Sequence, residues 1–147
     1  MASTFLSLHY HIVFSTKKRR PFITPVWRER LHEYLGGTVN GLGGFSQEIG
    51  GVADHVHLLV GLKATHRLAD FMRELKKAST AWAQENGDPL FTWQDGYAAF
   101  TVSASMCEKV RNYIQNQEQH HAKRDFVAEL KELLGKHGVK YEPQYLS

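Results

Sequence analysis

The sequence predicts an α+β fold of the ferredoxin-like type. Its β-α-β-β-α-β order gives an antiparallel sheet with helices on one face, followed by an additional C-terminal tyrosine-bearing helix. Three observations carry this expectation. Short runs suited to strands recur near Leu6–Phe14, Phe45–Gly50, Asp54–Leu62 and Tyr97–Val102. Apolar residues at helical spacing separate the first run from the second and the third from the fourth. The 147 residues, 42% hydrophobic and 22% charged, suit one domain able to bury a core.

In the first strand, Leu8, Tyr10, Ile12 and Phe14 share a face. The basic loop "STKKRRPF" follows, broken by Pro21. Thr24 before Pro25 suits an N-cap with proline at the first helical position. The spacing predicts a helix to about Thr38 with Val26, Leu31, Tyr34 and Leu35 buried. "NGLGG" ends it, and "GG" at 50 and 51 is expected to turn a short strand into "DHVHLLVGL". Thr65 can cap a second helix over about His66–Glu85. There Leu68, Phe71, Met72, Leu75, Ala78, Ala81 and Trp82 recur on one side. After the fourth strand, Ser105 and Glu108 form a capping-box pattern opening a helix to about Lys123. A final amphipathic helix is expected over Asp125–Lys136. Residues 1–123 thus read as the domain and 124–147 as a helical tail.

Composition excludes several classes. The single cysteine, Cys107, rules out a disulfide framework within the chain and fits a reducing cytoplasm. No apolar run approaches the roughly 18 residues of a membrane span, and the start lacks the features of a signal peptide. A net charge of +3 mildly favours an anionic partner.

The stretch "DHVHLL" raises the chemical question. Val56, Leu58 and Val60 share the face suited to a core, so His55 and His57 point together to the other. Two neutral imidazoles at i and i+2 can share a metal ion, but they need a third ligand. His9 and His11 repeat the spacing in the first strand. They read either as partly exposed polar residues on the same sheet face or as members of a site. On the helix "CEKVRNYIQNQEQHH", Val110, Tyr113, Ile114, Gln117 and His121 form one stripe. Gln117 interrupts an apolar stripe. Leaving its amide buried without a partner costs about 1–3 kcal/mol, so a partner is required, and a metal ion is one. Tyr113 lies one turn earlier on the same side.

"DHVHLL" followed by a helix with "YIQNQ" resembles the single-tyrosine HUH transposases of the smallest bacterial insertion sequences, the IS200-like family. "YHIVFSTKKRRPF" and "WQDGYAAFTVS" extend the likeness over about residues 5 to 123. The resemblance implies Tyr113 as nucleophile and His55, His57 and Gln117 as ligands of Mg²⁺ or Mn²⁺. It also implies single-stranded DNA with hairpin ends as substrate. A homodimer is implied too, in which the tyrosine helix can serve the partner subunit's His pair. Asp54 is expected to orient a histidine or cap the turn, and His121 to stand near the site.

Lys17, Lys18, Arg19 and Arg20 are expected to contact DNA phosphates, extended by Arg73, Lys76 and Lys77. Trp93, Tyr97 and Phe100 are candidates for stacking on bases. Two other readings stay open: a domesticated module of the same fold that binds hairpin single-stranded DNA or RNA without cutting, and a metal-dependent hydrolase of small phosphoesters.

Overall fold

The computed structural model describes residues 3–146. Strands β1 (His9–Ser15), β2 (Phe45–Gly51), β3 (His55–Gly61) and β4 (Ala98–Val102) form one sheet in the order β2-β3-β1-β4. All three pairings are antiparallel, and β1 and β3 lie side by side in the middle. Register places Ile12 opposite Leu58, and Val13 opposite His57. Period-two alternation therefore gives the sheet one apolar and one mixed face.

The apolar face packs against helices α1 (Pro25–Gly41) and α2 (Leu68–Asn86). Ile12, Leu58 and Val60 meet Leu31, Leu35 and Leu75, all fully buried. Each such side chain contributes about 1.5–3 kcal/mol.

The mixed face is covered by three shorter helices, α3 (Cys107–Gln115), α4 (Gln117–His121) and α5 (Phe126–Lys136). Leu59 and Val102 pack with Ile114 of α3, while Val13 and Phe100 pack with Phe126 and Leu134 of α5. The tail thus folds back onto the sheet. Gly50 makes the approach of α3 possible. A Cβ there would lie 2.3 Å from the carbonyl oxygen of Ile114, so any side chain would push α3 away.

Several local expectations are corrected by tertiary packing. The helix expected to run to Lys123 breaks at Asn116 (φ −102°, ψ 26°). There the Asn116 side chain donates to the carbonyl of Asn112 at 2.8 Å, competing with the backbone ladder. The Ser105–Glu108 capping box does not form. Ala104–Met106 is a 3-10 turn, and Ser105 pairs with the Ser103 hydroxyl at 3.2 Å instead. Thr65 does not cap α2, which starts at Leu68 after Arg67. Thr24 occupies the N-cap of α1 but makes no side-chain bond. Gly50 and Gly51 belong to β2, and the turn follows them. Val26 is 86% exposed, and Trp27 and Val39 are the buried residues in its place. Asp125 caps α5 by accepting from the Ala128 amide at 2.9 Å. Among the described residues no helix is long and apolar enough to cross a membrane.

Candidate metal and nucleophile site

The site lies between β3 and the three short helices. His55 and His57 project from the mixed face of β3 and are both fully buried. α3 brings Tyr113 over His57, with ring centroids 5.7 Å apart. The break at Asn116 lets α4 start with Gln117, whose Oε1 lies 3.2 Å from His55 Nε2 and 3.0 Å from His121 Nε2. Asp54 Oδ1 accepts from His55 Nδ1 at 2.8 Å, which fixes that ring. His11, buried in β1, stands 2.8 Å by its Nε2 from His57 Nδ1.

One residue of the centre came from the tail. Glu129 of α5 is fully buried, and its Oε1 lies 3.0 Å from His57 Nε2, 3.0 Å from His121 Nε2 and 3.3 Å from His55 Nε2. Its Oε2 accepts the hydroxyl hydrogen bond of Tyr113. The donor atoms of His55, His57, His121 and Glu129 all fall within 4.8 Å of one another. The tyrosine of this chain therefore stands against its own His pair.

Electrostatics follow from burial and these contacts. Burial disfavours charge on His55, but its bonds to Asp54 and Glu129 outweigh that and raise its pKa. Burial dominates at His57 and lowers it to about 4, and at His11 it lowers the value to about 3. For Glu129, burial is overcome by the bonds from His121, His55 and His57, and its carboxyl stays far below the usual range. Burial, then the hydrogen bond and charge of Glu129, push the Tyr113 hydroxyl well above its usual value. Tyr113 is thus held neutral.

The donor set fits a cation. A neutral His55 whose Nδ1–H donates to Asp54 Oδ1 has a bare lone pair on Nε2. That lone pair faces Gln117 Oε1 at 3.2 Å and Glu129 Oε1 at 3.3 Å, both acceptors. Three such atoms facing one another need a proton or a metal ion between them. Buried imidazole nitrogens with carboxamide and carboxylate oxygens are ordinary ligands of divalent ions.

The remaining expected residues are distributed unevenly. Lys17, Lys18 and Arg20 are exposed and Arg19 is half-buried. Their loop is pinned by the Lys18 amide donating to Gln94 Oε1 at 3.0 Å. Arg19 lines a cleft of about 540 Å³ shared with Asp54 and His121. Arg73, Lys76 and Lys77 lie on α2, behind the opposite face of the sheet, and are not brought to the His pair. The Lys76 ammonium donates to the carbonyls of Gln94 and Gly96 at 2.6 and 2.8 Å. Trp93 and Phe100 are corrected as stacking candidates, because both are core residues only about 5% and 4% exposed. Trp93 also donates to Ser79 Oγ at 2.9 Å. Tyr97 is 40% exposed and free to stack. A second cleft, about 520 Å³, opens over Tyr113 and Glu129 and carries Lys109, Arg124 and Lys136, which the sequence reading did not single out.

The four-stranded antiparallel sheet with its helices has the fold of a solved tyrosine transposase. A solved REP-associated tyrosine transposase bound to a REP hairpin superposes with a TM-score of 0.51 at 14% identity, over 78% of this chain and 68% of that one. The family model described as "Transposase IS200 like" matches residues 4–117, and the chain belongs to that family. The ISDra2 transposase TnpA of Deinococcus radiodurans is 29% identical over 121 residues, covering 75% of this chain and 84% of the relative. A crystal structure of a Deinococcus radiodurans R1 protein assigned as a transposase superposes with a TM-score of 0.64 at 25% identity, over 80% of this chain and 96% of that one. The family match ends at Gln117, so His121 and Glu129 lie beyond it.

Proposed function

We propose that this chain is a single-tyrosine HUH nuclease and strand transferase acting on single-stranded DNA with hairpin ends. The observation that carries the reading is the single cluster joining the Tyr113 hydroxyl to the His55–His57 pair. Family membership supports transposition as the reaction, and the relative bound to a REP hairpin supports a hairpin substrate.

In this reading the Tyr113 oxygen attacks a phosphorus of the strand. The new bond joins that oxygen to the 5′ phosphate, and the bond from phosphorus to the 3′ oxygen breaks. The tyrosine proton is lost and the leaving oxygen gains one, so the products are a 5′-phosphotyrosine and a free 3′-hydroxyl. Attack by another 3′-hydroxyl reverses the chemistry and joins new ends without a nucleotide cofactor. Glu129 aims the Tyr113 hydroxyl through its hydrogen bond, and Asp54 fixes the ring of His55. His55, His57 and Gln117 would hold a divalent ion, Mg²⁺ or Mn²⁺ on family grounds, which supplies Lewis-acid polarisation of the phosphate when bound. Lys17, Lys18, Arg19 and Arg20, with Lys109 and Arg124 at the cleft mouth, neutralise backbone phosphates. Lys76, held on the Gln94 carbonyl beside the Lys18 loop, adjoins that contact, and Arg73 and Lys77 extend it for a strand that follows α2. A homodimer is part of the proposal on family grounds. The tyrosine standing against its own His pair supports cleavage in cis.

The test uses hairpin-bearing single-stranded DNA, labelled at either end, with the protein and Mn²⁺. A denaturation-resistant band carrying the 3′-side label is the expected result, absent in Tyr113→Phe. Tight binding without a band would support the non-cutting module instead. Release of phosphate from a generic ester would support the hydrolase.

A further inference from the structure

Glu129 stands where nothing in the HUH pattern asks for a residue. It comes from α5, beyond the family match. It is a carboxylate with no solvent exposure, and its Oε1 faces three imidazole Nε2 atoms at once. Those separations are 3.0, 3.0 and 3.3 Å. With metal–ligand bonds of about 2.0–2.2 Å, neighbouring donors in one coordination sphere stand roughly 3 to 3.5 Å apart. The three separations from Glu129 fall in that range, and the four donor atoms as a set lie within 4.8 Å of one another, close enough to converge on one ion.

We infer that His121 and Glu129 join His55 and His57 as ligands of one divalent ion of the zinc, cobalt and nickel class, and that this ion latches the tail helix α5 across the site. The inference rests on the His55–His57 metal centre proposed above, adds two ligands beside Gln117, and replaces Mg²⁺ or Mn²⁺ as the resident ion. Three imidazoles favour borderline transition ions over Mg²⁺, which prefers oxygen ligands and keeps its water. The latch is local to α5. Apart from Glu129, that helix is held by Phe126, Leu134 and the partly buried Leu130 and Leu133, a small apolar contact. Phe126 stacks on the His55 ring with centroids 4.4 Å apart, so α5 meets the ligand set at two points. Glu129 Oε2 holds Tyr113, so securing the tail also secures the nucleophile. His121 and Glu129 are the parts of this centre that lie beyond the family match.

The test uses full-length protein stripped of metal by chelation. Co²⁺ is titrated and read by its visible ligand-field absorption, with Zn²⁺ and Mg²⁺ as competitors. Hydrogen exchange over residues 126–136 is measured with and without Zn²⁺. The wild type is expected to bind one Co²⁺, to lose it to Zn²⁺ but not to equimolar Mg²⁺, and to gain protection in α5. Glu129→Gln should bind at least about tenfold more weakly, since even outer partners of ligands cost that much. It should show a shifted band and gain no protection. His121→Asn should weaken binding and shift the band independently, so a folding defect in one variant leaves the other decisive. Unchanged affinity and spectrum in both variants would overturn the latch. If His55→Ala still abolished binding in that case, the proposed metal centre would stand without it. If wild type and His55→Ala both failed to bind, the metal centre and the latch would fall together, and the phosphotyrosine assay would still report on cleavage separately.

Discussion

The two faces of the sheet are built on different rules. On one face Ile12, Leu58 and Val60 meet helices of ordinary length through apolar contact alone. On the other, His11, His55 and His57 meet Tyr113, Gln117, His121 and Glu129 through directed polar contacts. The first face tolerates any side chain of suitable size and shape. On the second the buried polar atoms around Tyr113 have required partners, because leaving one alone costs about 1–3 kcal/mol. Stability therefore resides mainly on one face and chemistry on the other, with β1 and β3 shared between them.

Substitutions can separate the faces. Tyr113→Phe should lower covalent adduct formation by about 10³-fold or more while leaving the fold intact, as judged by circular dichroism and a labelling gel. His57→Ala should cost roughly 10²-fold in the same gel and also weaken metal binding. A loss of adduct without any loss of metal would break the pairing of the two. Leu58→Ala, one residue away but facing α1 and α2, should cost about 2–5 kcal/mol in urea unfolding. Its remaining folded fraction should keep the adduct. Gly50→Ala acts across the boundary. Its Cβ would sit 2.3 Å from the Ile114 carbonyl, so α3 must shift, at a cost of about 1–3 kcal/mol and with Tyr113 displaced. Retained full activity there would show that α3 need not pack as tightly as it does.

The smallest expected effect is a pH dependence outside the site. Burial, reinforced by Arg28, lowers His32 from 6.5 to about 4. Its Nε2 is buried without a hydrogen-bond partner, and Glu29 and Glu48 line the same cleft. Below its ordinary value the unfolded chain takes up a proton that the folded chain refuses. Stability should be full above about pH 6.5 and fall as pH drops toward 4. His32→Asn should remove its own share of that slope in thermal melts at matched pH and leave the share of His57 and His11, which burial also lowers.

The apolar face was legible because period two is a strong signal: "VHLLV" sorts its own residues. The His pair, Tyr113 and Gln117 were legible for a related reason, since a polar residue on an apolar stripe demands a partner. Glu129 carried the same signal. It stands three residues after Phe126, on the stripe that continues through Leu130, Leu133 and Leu134. In a helix rich in Lys and Glu, one more acidic residue is ordinary until its partner is known, and His57 is 72 residues away. His11 was ambiguous for the same reason, its partner lying 46 residues on. The capping box at Ser105 had the right residues. It failed because the packing of Cys107 and Ile114 against the sheet sets where α3 begins. The break at Asn116 left no pattern that period counting detects, yet it separates the helices carrying Tyr113 and Gln117.

The most direct measurement of the central claim is the site of covalent attachment. The adduct with hairpin DNA would be digested with nuclease and trypsin and the peptides weighed. Trypsin should release residues 112–123, in which Tyr113 is the only tyrosine. We expect a phosphonucleotide on that peptide and on no other. Attachment at Tyr97 or at any other residue, or cleaved DNA with no modified peptide, would contradict Tyr113 as the nucleophile.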